Sequence, residues 1–208
     1  MKVMKKLYTL ALILTAAAVF AFAAAAKTTR TGDASDAKAA VTLGAVVPDF
    51  TLPDADGKGR SLASLKGKAG TVIIFMATRC PVSNGYNTRM EKLAEDYRAR
   101  GVNVVGINAN STETIEEVKR HAAEKGLTFT ILKDGGNRIA DRFDAQVTPE
   151  AYLLDASGKL VYHGRIDNSR SGDSITSTEL RDAVEAVLAG KPVEKQEAKA
   201  FGCSIKRG

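Results

Sequence analysis

The chain runs to 208 residues with a formal net charge of +6, and 44% of its residues are hydrophobic. That is a globular composition, long enough for one well-packed domain. Two cysteines are too few for a four-cysteine zinc site. No basic run is interleaved with aromatics, so a nucleic-acid partner has little support.

Lys2, Lys5 and Lys6, an apolar run over residues 7–22 and the small residues Ala23 to Ala26 predict a secretory signal peptide over residues 1–26. The alternative is a membrane anchor over residues 7–26, about long enough to span a bilayer. Cleavage near Ala26 leaves about 182 residues (208 − 26) with a net charge near +3, since three lysines and no acids are removed. The expected location is the periplasm or the exterior, with no stable membrane anchor. In an oxidising compartment an even cysteine count permits pairing. Cys80 and Cys203 lie 123 positions apart (203 − 80), and a bridge needs their Cα atoms within roughly 4.4–6.8 Å.

Residues 27–40 are polar and aperiodic and read as a linker, with the domain spanning residues 41–190. Residues 50–52 form a short strand ended by Pro53, followed by a turn at residues 54–57. The apolar run 71–76 reads as a strand in the middle of a sheet covered on both faces. It leads directly into Cys80 and Pro81. Proline fits the first helical position, which makes Cys80 the N-cap and aims free N–H groups and the positive helix end at its sulfur. A thiolate there is stabilised, so its pKa is expected below the free value of roughly 8.5. The bland alternative is an inert buried cysteine.

The helix opened by Pro81 is predicted to run to Arg100, with Val82, Tyr86, Met90, Leu93 and Tyr97 on one face and Gly101 as the stop. Residues 102–107 are a second apolar strand. Thr114 and Glu117 fit a capping box for a helix ending at Gly126. Residues 129–132 are a strand and residues 137–143 a short helix. Residues 152–154 and 160–162 flank a turn and read as a hairpin. Thr176 and Glu179 fit a second capping box, opening a last helix that closes at Gly190. The order β-α-β-α-β-(α)-β-β-α predicts an α/β three-layer domain with a central mixed β-sheet and an N-terminal extension. Residues 191–208 are charged and aperiodic and read as a tail carrying Cys203.

These features together resemble the thioredoxin-like superfamily, in its redoxin or AhpC/TSA branch. The resemblance is carried by Cys80, Pro81, Val82 and Ser83 between strand and helix, by Val147, Thr148 and Pro149 before the hairpin, and by Val47-Pro-Asp-Phe-Thr-Leu-Pro53 near the start. It implies that Cys80 is the nucleophile, that Pro149 is a cis proline beside it, and that the Thr148 backbone pairs with an incoming substrate chain. Ser83 stands where thioredoxins carry a second cysteine; its hydroxyl is a candidate donor to the Cys80 thiolate, or a plain capping-turn residue. Ala77 stands where peroxiredoxins have threonine, and Thr148-Pro149 where their peroxide-binding arginine would fall. Cys203 is either a resolving partner for Cys80 or a lone thiol or intermolecular bridge.

Arg79 is a weak candidate for stabilising the thiolate. Arg165 and Asp167 read as solvated charges past the hairpin, His121 as an exposed helix residue and His163 as structural. The resemblance implies an exported thiol-dependent oxidoreductase for thiol–disulfide exchange, with an antioxidant peroxidase as the alternative. Its expected partners are a disulfide-bearing protein or a peroxide and an external thiol reductant, with no cofactor and no metal. A non-enzymatic copper site on Cys80, Cys203 and His163 is the second alternative, and a binding module with a degenerate site the third.

Overall fold

The computed structural model describes residues 40–208, so the expected signal peptide and nearly all of the expected linker lie outside the described residues. In chain order, β1 (Thr51–Pro53) and β2 (Gly59–Ser61) make a small antiparallel pair, followed by α1 (Leu62–Leu65) and β3 (Gly70–Met76). Then come α2 (Pro81–Gly85), α3 (Asn87–Arg98), β4 (Val102–Asn108), α4 (Ile115–Lys125), β5 (Thr130–Lys133) and α5 (Arg138–Arg142). The second half holds β6 (Val147–Thr148), β7 (Glu150–Asp155), β8 (Leu160–Gly164), α6 (Glu179–Leu188), β9 (Glu197–Ala198) and β10 (Cys203–Ser204). Among the described residues no helix is long and apolar enough to cross a membrane.

The main sheet has the order β5-β4-β3-β7-β8-β9. β3, β4 and β5 run parallel, and β7 and β8 continue antiparallel as the expected hairpin. All seven residues of β3 are buried, so its alternating side chains serve two half-cores. Val72, Ile74 and Met76 meet Met90 and Leu93 of α3 and Leu180 and Val184 of α6. Ile73 and Phe75 face the other way, toward Phe50, Leu62, Ile139, Phe143 and Tyr152. Phe75, Phe143 and Tyr152 meet edge-on with centroids 4.9–5.8 Å apart. Each such side chain contributes about 1.5–3 kcal/mol through burial. This is the expected three-layer arrangement around a mixed sheet, and it fixes the end of β3 where Cys80 begins.

Four expectations are corrected. The long helix from Pro81 is broken at Tyr86, whose N–H bonds to the Ser83 carbonyl at 3.0 Å, a three-residue step. Ser83, Asn84 and Gly85 are poor helix formers, and the Tyr86 ring is drawn into the core. The last helix begins at Glu179 and the Thr176 capping box does not form. Thr176 Oγ1 instead accepts from Asn168 Nδ2, while the Glu179 carboxylate is taken by Arg165, Ser177 and Lys195. His121 is buried because it falls on the Val118 face of α4.

The fourth concerns the last residues. They do not hang free: β9 extends the main sheet beside β8, β10 pairs antiparallel with β6, and Val193, Ala198 and Ile205 are buried. Their apolar residues are spaced for a segment running extended over a surface, which explains the missing helical period.

Candidate active site

Cys80 sits where β3 runs out, as the N-cap of α2 with Pro81 at the first helical position. Its Sγ accepts a hydrogen bond from the Ser83 N–H at 3.3 Å, and the residue is 4% exposed. Of the two readings of Ser83, the hydroxyl is not the donor to the sulfur; it accepts from the Ala77 N–H at 3.1 Å and so ties α2 back to the end of β3. The contribution of Ser83 at the sulfur is therefore its backbone, a polar hydrogen aimed where negative charge would develop.

The loop between β3 and Cys80 is anchored by a residue that sequence reasoning missed. Glu113, 2% exposed, accepts the N–H groups of Thr78 (2.8 Å) and Arg79 (3.1 Å) and the side-chain amides of Asn108 and Asn110. Burial pushes its carboxyl up, but these four donors outweigh that and hold it below the usual 4.5. Asn110 in turn accepts the Lys206 N–H at 2.7 Å through Oδ1. One buried carboxylate thus ties the chain before Cys80 to the chain after Cys203. The only available signal was an acidic residue just ahead of a capping box, which is an ordinary surface feature.

The facing wall is β6 and the bond that follows it. The Thr148–Pro149 peptide bond is cis. The Thr148 carbonyl oxygen lies 3.4 Å from Cys80 Sγ. β10 pairs with β6 in the register Cys203 with Thr148 and Ser204 with Val147. That register places Cys203 on Cys80: the two form a disulfide with Cα atoms 5.9 Å apart. The five expected site residues Cys80, Ser83, Thr148, Pro149 and Cys203 therefore converge on one point. Cys203 is the more exposed of the two cysteines.

The segment carrying Cys203 is held on both sides. A Cβ on Gly202 would stand 1.9 Å from the Thr148 carbonyl oxygen, so only glycine fits there. Phe201 lies against Tyr86 at 6.5 Å between centroids, with the Arg170 guanidinium 5.3 Å from the Phe201 ring. Ile205 is buried in the half-core of Phe75 and Phe143. Ser111 N–H donates to the Lys206 carbonyl at 2.8 Å.

The other candidates lie apart from this point or play a different part. Arg79 pairs with Glu117, its side chain 59% exposed. His121 lies 3.2 Å from Asn87 Nδ2 through Nε2, and burial pushes its pKa down. His163 stacks on Tyr152 at 4.4 Å and meets Glu150 at 2.6 Å, the geometry of a structural residue. Asp167 and Arg165 are not solvated charges. The buried Asp167 carboxylate receives Arg89 at 2.6 Å and the Tyr86 hydroxyl at 3.1 Å, and Arg165 pairs with Glu179. The chain after β8 doubles back over α2 and α3, which sequence periodicity does not show. Among the described residues no group of three or more His, Cys, Asp or Glu side chains is placed to hold a metal ion.

The thiol-disulfide oxidoreductase ResA of Halalkalibacterium halodurans is 33% identical over 113 residues, covering 54% of this chain and 62% of that protein, so the chain spans just under two thirds of it. Chloroplastic peroxiredoxin Q of Sedum lineare is 32% identical over 144 residues, covering 65% of this chain and 76% of that one. The crystal structure of a hypothetical protein from Sinorhizobium meliloti superposes with a TM-score of 0.75 at 37% identity, covering 81% of this chain and 96% of the other. Residues 43–163 match the AhpC/TSA family. With that match spanning more than half its length, the chain belongs to the AhpC/TSA family, on a thioredoxin-like fold.

Proposed function

We propose that the protein is a thiol–disulfide oxidoreductase in which Cys80 is the attacking thiol and Cys203 resolves it. The observation that carries this reading is the Cys80–Cys203 pair closed across Thr148 and the cis Pro149. In the reduced protein the Cys80 thiolate, supported by the Ser83 N–H, attacks a substrate disulfide and forms a mixed disulfide as the substrate's second sulfur departs. Cys203 then attacks Cys80 Sγ, closes the internal disulfide and releases the substrate as a dithiol. For regeneration, an external thiol meets the more exposed Cys203 sulfur first, and Cys80 departs as the stabilised thiolate. The expected setting is the periplasm or the exterior, where such a pair cycles against disulfide-bearing partners and a thiol reductant.

A peroxidase is the second reading, supported by the 32% identity to peroxiredoxin Q. The same two cysteines would serve: peroxide converts the Cys80 thiolate to a sulfenic acid, which Cys203 condenses into the disulfide with loss of water. Ala77 and the Thr148-Pro149 pair leave this site without the threonine and arginine expected of fast peroxide turnover. A copper reading would need His163 beside the cysteines, and His163 is committed to Glu150.

The deciding experiment is stopped-flow mixing of reduced protein with glutathione disulfide and, separately, with hydrogen peroxide. Wild type should react faster with the disulfide, Cys80→Ser with neither, and Cys203→Ser should stall at the mixed disulfide. Equal rates for wild type and Cys80→Ser would sink the enzymatic reading. A much faster peroxide reaction would replace exchange by peroxidase activity.

A further inference from the structure

We infer that the groove along the edge of β6, where the resemblance already has a substrate chain pair with Thr148, selects the sequence around the substrate cysteine, and that residues 201–205 are its built-in template: an aromatic residue, glycine, cysteine, a free position and an aliphatic residue. The inference rests on the proposed role of Cys80 and adds a sequence preference to it.

The groove has three features besides the sulfur. The first is steric. Residue 202 passes so close to Thr148 that an added Cβ would lie 1.9 Å from its carbonyl oxygen and 2.6 Å from its carbonyl carbon. Both are backbone atoms on the buried side of the site, and they do not move aside as a side chain would. The position before the cysteine is therefore closed to every residue but glycine. The second is the Tyr86–Arg170 seat for Phe201, where a ring lies against one aromatic face and under a guanidinium. The third is the apolar slot for Ile205, two positions after the cysteine, lined by the half-core that holds Phe143 and Ile139.

Antiparallel pairing of Cys203 with Thr148 and of Ser204 with Val147 sets the register between these features. Main-chain pairing supplies affinity without sequence choice, and the flanking seats supply the choice. Ser204 is exposed, which leaves that position free.

The tail and a substrate strand cannot occupy the edge of β6 together. The chemistry then runs in order. With the tail released, the Cys80 thiolate attacks the cysteine sulfur of the peptide. The Cys80–peptide S–S bond forms, the peptide's former S–S bond breaks, and the departing thiolate takes the electron pair. When residues 201–205 return, Cys203 gives its proton to water, its thiolate attacks Cys80 Sγ and expels the peptide thiolate, which takes a proton back from water, and the tail reoccupies the strand edge. Closing the internal disulfide and ejecting the product are one motion.

The test uses the full-length Cys203→Ser protein, reduced, and synthetic octapeptides spanning residues 199–206. Each carries its cysteine as a mixed disulfide with thionitrobenzoate, and absorbance reports thionitrobenzoate release. The tethered tail of the protein competes with each peptide alike and leaves their rate ratios unchanged. The peptide with Gly202→Ala should react about tenfold more slowly or worse than the parent, because the clash weakens binding in the transition state. The peptide with Phe201→Ala should be slower by about three- to tenfold, the weight of one aromatic pair. The symmetric bis-thionitrobenzoate disulfide, which carries no peptide, is the control. If all peptides release at the parent's rate while the control reacts, the groove reads no sequence and this inference is overturned. If neither the peptides nor the control release thionitrobenzoate, the role of Cys80 itself fails and takes the inference with it.

Discussion

Glu113 holds the site together from beneath. Its carboxylate accepts the N–H groups of Thr78 and Arg79 ahead of Cys80 and, through Asn110, steadies the chain after Cys203. Glu113→Gln removes one acceptor oxygen and strands buried donors, so it should destabilise the protein by about 1.5–3 kcal/mol. Because its folded-state pKa is lowered, the stabilisation from Glu113 is fully present above the ordinary 4.5 and is lost as pH falls through the lower folded value. Urea unfolding of both proteins across acidic pH checks this: wild type should lose stability below pH 4.5 more steeply than Glu113→Gln. Parallel curves would show that this carboxylate is not the titrating group. Gly202 is the second residue with a sharp expectation. Gly202→Ala in the protein should leave the core folded by circular dichroism but slow closure of the Cys80–Cys203 bond by about tenfold or more, since the steric clash displaces β10 before the sulfurs meet. Thiol trapping during oxidation reads it directly.

At the scale of elements, the Tyr86 break sets the direction of α3 and is pinned from outside the helix. The Tyr86 hydroxyl bonds to Asp167, and the Arg89 guanidinium lies 3.5 Å from the Tyr86 ring centre. Burial first, and the Asp167 charge second, push the Tyr86 pKa up to about 12, so the hydroxyl stays protonated and donates throughout the working range. Asp167→Ala should cost about 2–4 kcal/mol, because it leaves a partly buried arginine unpaired; thermal unfolding measures it. This element also shows what the sequence could carry. The strand into Cys80, the N-cap with Pro81, the Thr114 capping box and the β7–β8 hairpin are all legible, because each depends on residues a few positions apart. The break at Tyr86, the burial of Asp167 and the failed Thr176 cap are not, since each is decided by partners from distant segments. The site divides in the same way. Cys80 follows from local pattern, and Ser83, Thr148 and Pro149 from resemblance. The Ser83 hydroxyl turns to Ala77 rather than to the sulfur, and Glu113, Gly202 and Phe201 give no local sign of their parts.

For the whole molecule, the disulfide joins positions 123 residues apart and loops together most of the described chain. A cross-link over that span removes loop-closure entropy from the unfolded chain and so stabilises the oxidised fold by up to about 4–5 kcal/mol. Oxidised wild type should therefore unfold at higher denaturant than the reduced protein or Cys203→Ser by about 2–4 kcal/mol of stability, with Cys203→Ser indifferent to reductant. Equal midpoints would mean that the bond constrains the unfolded chain too little to matter. The bond adds to a noncovalent hold made of the β10–β6 pairing, the buried Ile205, and the hydrogen bonds of Lys206 to Asn110 and Ser111 and of Arg207 to Asp141. The lysines and arginine of residues 191–208, Lys191, Lys195, Lys199, Lys206 and Arg207, are spread along the strip that the bond helps to hold down. Cleavage after a basic residue needs several residues of chain to peel away from the surface. Oxidation should therefore keep these peptide bonds covered more of the time than reduction does, so that the protein's thiol state would set its lifetime in the presence of proteases.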